Sequence, residues 1–180
     1  MKLMIASDLH GSAYYCEKLV SAYQSEAPDR LLLLGDLLYH GPRNDLPRDY
    51  APKRVIEMLN ALSEKLLCVR GNCEAEVDQM VLSFPVLADY AYLSIDGTDI
   101  FATHGHLHGE TNPPPIRGGA LLLCGHTHVP AFRPYDGFTY VNPGSLSIPK
   151  ENSPHSYMIL EDRTLIWKTV EGEIYRTEKI

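Results

Sequence analysis

Apolar residues in the first half of the chain come in short unbroken runs, separated by stretches of helical period. Residues 2–7 (KLMIAS), 30–34 (RLLLL) and 66–70 (LLCVR) read as buried strands. Between the first two, Ser12 is a plausible N-cap. Tyr15, Leu19, Ala22 and Tyr23 then mark one apolar face of a helix that ends near Ala27-Pro28. Residues 52–64 place Val55, Ile56, Leu59 and Leu62 at helical spacing, with Pro52 in the first turn. A short helix is expected near 75–82. The resulting βαβαβ order implies parallel strands with right-handed crossovers.

After residue 90 the pattern changes. Strand-like runs follow one another at roughly 91–95, 98–103, 121–125, 130–134, 138–142, 156–161, 164–169 and 173–177. Asp96-Gly97, Asp136-Gly137, Asp162-Arg163 and Glu171-Gly172 read as hairpin turns. These runs predict a second, more antiparallel sheet packed on the first, within a single domain spanning 1–180. The proline-rich segment 112–115 and the polar loop 40–52 interrupt the regular elements, and long loops beside a site are usually functional.

Composition narrows the class. The chain has 180 residues, 44% hydrophobic and 22% charged, as expected of a soluble globular protein. A formal net charge of −7 argues against broad electrostatic binding to nucleic acid or an anionic membrane. A phosphate substrate stays compatible with it, because divalent ions invert local charge. Cys16, Cys68, Cys73 and Cys124 are scattered without a C-x-x-C, which reads as reduced, cytoplasmic usage. Met1-Lys2 enters a strand directly, so no signal peptide is expected, and no apolar run approaches the ~18 residues that a membrane span needs.

The chemistry lies where the runs end. The first strand leads into Asp8-Leu9-His10, the second into Gly35-Asp36, and the third into Gly71-Asn72. Ile100–Thr103 leads into His104-Gly105-His106, and Leu121–Cys124 into Gly125-His126-Thr127-His128. In extended geometry Asp8 and His10 point to the same side. Five strands thus deliver Asp8, His10, Asp36, Asn72, His104, His126 and His128 to one sheet edge, where open α/β sheets bind ligands. That set means a metal centre, and seven ligands are too many for one ion. Mixed nitrogen and oxygen donors without thiolate suit Mn, Fe, Zn or Ni rather than a structural zinc site. Taken singly each motif has a bland reading, as a turn, a cap or a polar loop; their conjunction in one order decides against it.

Asp8-x-His10, Gly35-Asp36, Gly71-Asn72, Thr103-His104-Gly105-His106 and Gly125-His126-x-His128 together resemble the motifs of the calcineurin-like metallophosphoesterases. With Gly41-Pro42-Arg43-Asn44, Val69-Arg70-Gly71-Asn72-Cys73 and Asn142-Pro143-Gly144-Ser145, the chain resembles the small bacterial YfcE-type phosphodiesterases along its whole length. The resemblance implies an α/β fold, a four-layer α/β/β/α sandwich of two mixed sheets. It implies a phosphoric ester hydrolase with two divalent metal ions, commonly manganese, in which a bridging hydroxide attacks a small phosphodiester. One ion would be held by Asp8, His10, Asp36 and His128, the other by Asp36, Asn72, His104 and His126, with Asp36 bridging. Asp36, Asn72 and His104 would then be catalytic as well.

Many members of that superfamily have histidine directly after the Gly-Asn. Here the position is Cys73, followed by Glu74. A thiol can donate a proton but brings no positive charge, so His40, Arg43 or His106 would have to supply it. His40, Arg43 and Cys73 are the expected substrate contacts. Asn142–Ser145 is expected to form a structural turn near the metals. Two other readings compete: a non-catalytic metal-binding scaffold for protein contacts, which the full ligand set disfavours, and a nuclease, which the acidic charge disfavours. The expected partner is a small phosphodiester, with no strong nucleic-acid or membrane binding; a homo-oligomer is left open.

Overall fold

The computed structural model describes residues 1–180. Strand β1 (Leu3–Ala6), helix α1 (Ala13–Glu26), β2 (Arg30–Leu33), α2 (Pro52–Asn60) and β3 (Leu66–Cys68) follow in the expected order. Strand β1 pairs in parallel with β2, and β2 with β3. The Ser12 hydroxyl caps α1 by accepting from the Tyr15 amide, and Ala27 closes the helix in a left-handed conformation before Pro28. Helix α2 is shorter than the periodicity predicted: it stops at Asn60, and a single 3-10 turn at Ser63–Lys65 leads into β3. Helix α3 (Glu76–Val81) buries none of its own residues; Leu82, Phe84 and Val86 behind it enter the core.

The remaining strands are β4 (Tyr90–Ile95), β5 (Thr98–Thr103), β6 (Ala120–Leu123), β7 (Ala131–Pro134), β8 (Phe138–Asn142), β9 (Ser156–Glu161), β10 (Thr164–Thr169) and β11 (Ile174–Lys179). They divide between two mixed sheets, ordered β11-β10-β9-β1-β2-β3 and β4-β5-β6-β8-β7. The division departs from the sequence expectation. The last three strands join the first sheet, through antiparallel pairing of β9 with β1. The second sheet holds two parallel pairs, β5 with β6 and β6 with β8. The Asp96-Gly97 and Asp162-Arg163 turns have φ positive at both residues, the signature of tight two-residue hairpins.

Alternation along β1 builds two cores at once. Leu3 and Ile5 face the second sheet, against Ile100, Ala102, Leu121, Leu123 and Val141. Met4 and Ala6 face α1 and α2, against Cys16, Leu19, Val55 and Leu59. Trp167 of β10 is fully buried between the sheets and donates its indole N–H to the Asn142 carbonyl of β8, 2.8 Å away. The outer face of the second sheet, with Phe101, Leu122 and Tyr140, is covered by the loop segment 104–119, which carries no helix. No helix is long and apolar enough to cross a membrane.

Candidate metal centre

The carboxyl ends of β1, β2, β3, β5 and β6 converge. Backbone hydrogen bonds hold the loops that follow them edge to edge. The Asp8 amide donates to the Gly35 carbonyl, His10 to that of Asp36, and Gly125 to that of His104. The loop conformations are unusual. Asp8, His10, Asp36, His126 and His128 all have positive φ, between 51° and 65°. This overturns the extended geometry expected for Asp8-x-His10: β1 ends at Ala6, and both side chains reach the centre from left-handed backbone. Such conformations cost non-glycine residues on the order of 1 kcal/mol each and persist where the surroundings enforce them.

The enforcement is visible in the glycines beside them. A Cβ on Gly71 would sit 2.1 Å from Asp36 Oδ1, and a Cβ on Gly125 would sit 1.9 Å from Ser7 Oγ and 2.7 Å from Asp8 Oδ2. Only a hydrogen fits at either position, so Gly-Asn and Gly-His are steric requirements of this packing.

The side chains converge closely. His128 Nε2 lies 3.2 Å from Asp8 Oδ1, and His10 Nε2 lies 3.6 Å from that oxygen and 3.7 Å from Asp36 Oδ2. His104 Nε2 lies 3.5 Å from Asp36 Oδ2 and 3.0 Å from Asn72 Oδ1. His126 presents Nδ1, 3.2 Å from His104 Nε2. Three of the four rings are oriented by backbone carbonyls on their far side. Nδ1 of His10 meets Tyr39 O at 2.8 Å, that of His104 meets Leu34 O at 2.7 Å, and that of His128 meets Ile148 O at 2.6 Å. A proton donated there from Nδ1 leaves each Nε2 as the atom that can turn a lone pair to a metal.

Asp8, His10, Asp36, His104 and His128 are all buried, while Asn72 is exposed and His126 half-buried. Asp8 Oδ2 accepts from the His126 amide, but Asp8 Oδ1 has no hydrogen-bond partner although it is buried. A buried carboxylate oxygen set among inward-facing imidazole nitrogens is the donor set a divalent cation completes, displacing any proton those nitrogens hold. Two groupings, Asp8–His10–His128 and Asp8–Asp36–His104, each bring ligand atoms within 4.8 Å of one another. Burial works to raise the Asp8 pKa, yet His10 and His128 hold it well below the usual carboxylate range. His104, though buried, is raised to about 9 by Asp36 and Asp8. The residues present therefore fit divalent metal.

One residue that sequence reasoning passed over proves central to the frame. Glu74 is buried; its Oε2 accepts the amides of Asp36 (2.8 Å) and Gly71 (2.5 Å), and its Oε1 that of Leu37 (2.7 Å). The loops after β2 and β3 thus close around one carboxylate. The only signal was an acidic residue two positions past Asn72, where an ordinary solvated glutamate reads the same. Asn142–Ser145 forms the expected turn, with the Gly144 amide donating to Asn142 Oδ1. It also braces the centre: Asn142 Nδ2 donates to Gly125 O, and the Ser145 hydroxyl to Asp8 O.

A cleft of about 450 Å3 opens over the centre. Arg43, Asn44, Cys73, Thr127 and Lys150 line it together with His10, Asp36, Asn72, His126 and His128. Arg43 and Cys73, two of the three expected substrate contacts, line this cleft. His40 does not: its ring packs edge-on against Tyr39 and Tyr50 and lies outside the cleft lining. Those neighbours, spaced along the 37–50 loop, turn it away. His106 stands behind His104, ring centroids 5.4 Å apart, and burial and the His104 charge lower its pKa. Cys73 Sγ lies within 4.8 Å of His10 and Asp36 ligand atoms; burial and then the Asp36 charge push the thiol up. Asn44 and Lys150 were not anticipated, since isolated polar residues in loops carry no periodic signal.

Residues 1–164 match the sequence profile of the calcineurin-like phosphoesterase superfamily domain. The chain belongs to the calcineurin-like phosphoesterase superfamily. Among curated members, Phosphodiesterase YfcE of Escherichia coli strain K12 is 44% identical to this phosphoesterase over 165 residues, 92% of this chain and 90% of that protein. Probable metallophosphoesterase YsnB of Bacillus subtilis strain 168 is 26% identical over 167 residues, 89% and 83% of the two chains. The solved structure of YfcE, a phosphoesterase from E. coli, superposes with a TM-score of 0.96 at 41% identity, covering 100% of each chain. Vps29 of Entamoeba histolytica, complexed with Zn, is similar in fold alone, with a TM-score of 0.60 at 20% identity and coverage of 100% and 98%.

Proposed function

We propose that this phosphoesterase is a metal-dependent phosphodiesterase that hydrolyses small phosphodiesters at a dinuclear centre. One divalent ion would be held by Asp8, His10, Asp36 and His128, the second by Asp36, Asn72, His104 and His126, with manganese the first choice and Fe, Zn or Ni compatible donors. The observation that carries the reading is the unpartnered, buried Asp8 Oδ1 among three imidazoles whose Nδ1 atoms are all tied to backbone carbonyls. The identity to a named phosphodiesterase over most of both chains supports the diester preference. When bound, such ions supply a hydroxide nucleophile at neutral pH and positive charge on the phosphoryl oxygens.

The protein's own share of the reaction is positioning. The carbonyls of Tyr39, Leu34 and Ile148 fix three imidazoles, and the Cys73 amide, 2.9 Å from Asp36 Oδ1, fixes the carboxylate proposed to bridge. Arg43 brings a planar fork of donors to the cleft wall, where an anionic group of the substrate can meet it. The Cys73 thiol stands beside His10 and Asp36, but burial and the Asp36 charge keep its proton in place, so it lends the departing oxygen little acid help. The test is hydrolysis by protein reconstituted with each metal in turn, against phosphodiesters, phosphomonoesters and cyclic nucleotides. Diester turnover above monoester turnover, abolished by chelation and restored by manganese, is expected. Equal turnover by the chelated protein would overturn it.

A further inference from the structure

The cleft walls carry chemistry that a simple diester leaves unused. Setting aside the proposed ligands, the lining is Gly41, Pro42, Arg43, Asn44, Cys73, Thr127 and Lys150. It contains two cations and no further carboxylate, in a chain whose net charge is −7. Arg43 and Lys150 enter none of the chain's ion pairs. Both are anchored through their loops. The Lys150 amide donates to the carbonyl of His128, 3.2 Å away. Arg43 sits in a turn closed by the Asn44 amide to Gly41 O and by Asn44 Nδ2 to His40 O. The lining also lacks Phe, Tyr and Trp, so a nucleobase finds no stacking platform there.

Charge balance gives these cations a purpose. Two divalent ions set against the carboxylates of Asp8 and Asp36 leave enough positive charge for a monoanionic diester and its attacking anion. Arg43 and Lys150 are then in excess. Lining cations that enter no ion pair match a second anion, and arginine suits the bidentate grip of a phosphate. We infer that the cleft selects phosphodiesters that carry a second anionic group, a further phosphate, on a small polar substituent without an aromatic base. The inference rests on the phosphodiesterase reading.

The test uses manganese-reconstituted protein hydrolysing bis(p-nitrophenyl) phosphate, with glucose 6-phosphate, glucose 1,6-bisphosphate and adenosine 5′-phosphate as competitors. The bisphosphate should inhibit about tenfold more tightly than the monophosphate, as two exposed charge pairs allow. In the Arg43→Ala/Lys150→Ala variant the ratio of the two inhibition constants should fall towards one, whatever happens to turnover itself. Adenosine 5′-phosphate should gain less than about threefold over the sugar monophosphate, since stacking is lacking. A wild-type ratio near one, a ratio that survives in the variant, or a nucleotide that outcompetes the bisphosphate would overturn the inference. If no metal supports hydrolysis, the activity reading falls by itself. Calorimetric titration of the same sugar phosphates into wild type and variant then still decides what the cleft selects.

Discussion

Glu74 and Cys73 are adjacent in the chain, one bracing the loops of the site and the other lining its cleft. Glu74 receives three amides from two loops, and only an ionised or oxygen-only terminus can do so. In Glu74→Gln one terminal atom becomes a donor facing an N–H, which breaks at least one bond and leaves a buried donor unpaired, at a cost of about 1–3 kcal/mol. The loops carrying Asp36 and Asn72 should loosen together. Elemental analysis is expected to show loss of the ion assigned to Asn72 and His104 ahead of its neighbour, with most of the fold's cooperative unfolding intact. Two ions retained at wild-type affinity would show that the carboxylate is not positioning the site.

Cys73 bears on the leaving group. Burial and the Asp36 charge push its thiol up, so it holds its proton tightly. Departure should then depend mainly on the acidity of the leaving group. General acid help is worth about 10²–10⁴-fold, and Cys73→His should restore part of it for alkyl esters more than for nitrophenyl esters. A plot of log kcat/KM against leaving-group pKa should be steep for wild type and flatter for the variant. Parallel lines would mean that another group already supplies the proton.

At the scale of elements, α1 is tied to the first sheet by Glu26. Its carboxylate meets Lys2 Nζ at 2.9 Å, Lys168 Nζ, and the Tyr157 hydroxyl at 3.1 Å. Burial works to raise the Glu26 pKa, but Lys168 and Lys2 lower it below the ordinary value. The folded state therefore binds this proton less readily than the unfolded chain does. The stabilisation is present above the unfolded carboxylate value of about 4.3 and is lost as pH falls through the lower folded value. Chemical denaturation should show Glu26→Gln less stable than wild type at pH 7, with the gap closing below about pH 4. A gap that persists at low pH would assign the effect to packing.

Elements also mark how far the sequence could be read. The runs ending in Asp8, Asp36, Asn72, His104 and His126 were legible because buried parallel strands are continuously apolar and stop abruptly where the backbone must turn toward a ligand. The assignment of β9, β10 and β11 to the first sheet was not, since antiparallel pairing of β9 with β1 joins residues some 150 positions apart and leaves no periodic trace. The left-handed backbone at Asp8 and His10 was hidden for a related reason. Neither residue is glycine, and only the packed loops beside them impose the positive φ. The position of the His40 ring outside the cleft lining was also hidden, because distance along the chain from Asp36 says nothing of the Tyr39 and Tyr50 rings against which it packs.

For the whole molecule, the two sheets serve as a rigid platform that brings five strand ends to one edge. The strained loops there are held by surrounding packing. Residues of both proposed ion sites meet at Asp36, whose Oδ2 lies 3.7 Å from His10 Nε2 and 3.5 Å from His104 Nε2. The most direct measurement is therefore the number of ions bound per chain, by elemental analysis of protein grown with excess manganese, for wild type and Asp36→Ala side by side. Close to two ions are expected in the wild type and nearly none in the variant. One ion in the wild type, or a variant that keeps two, would contradict that expectation.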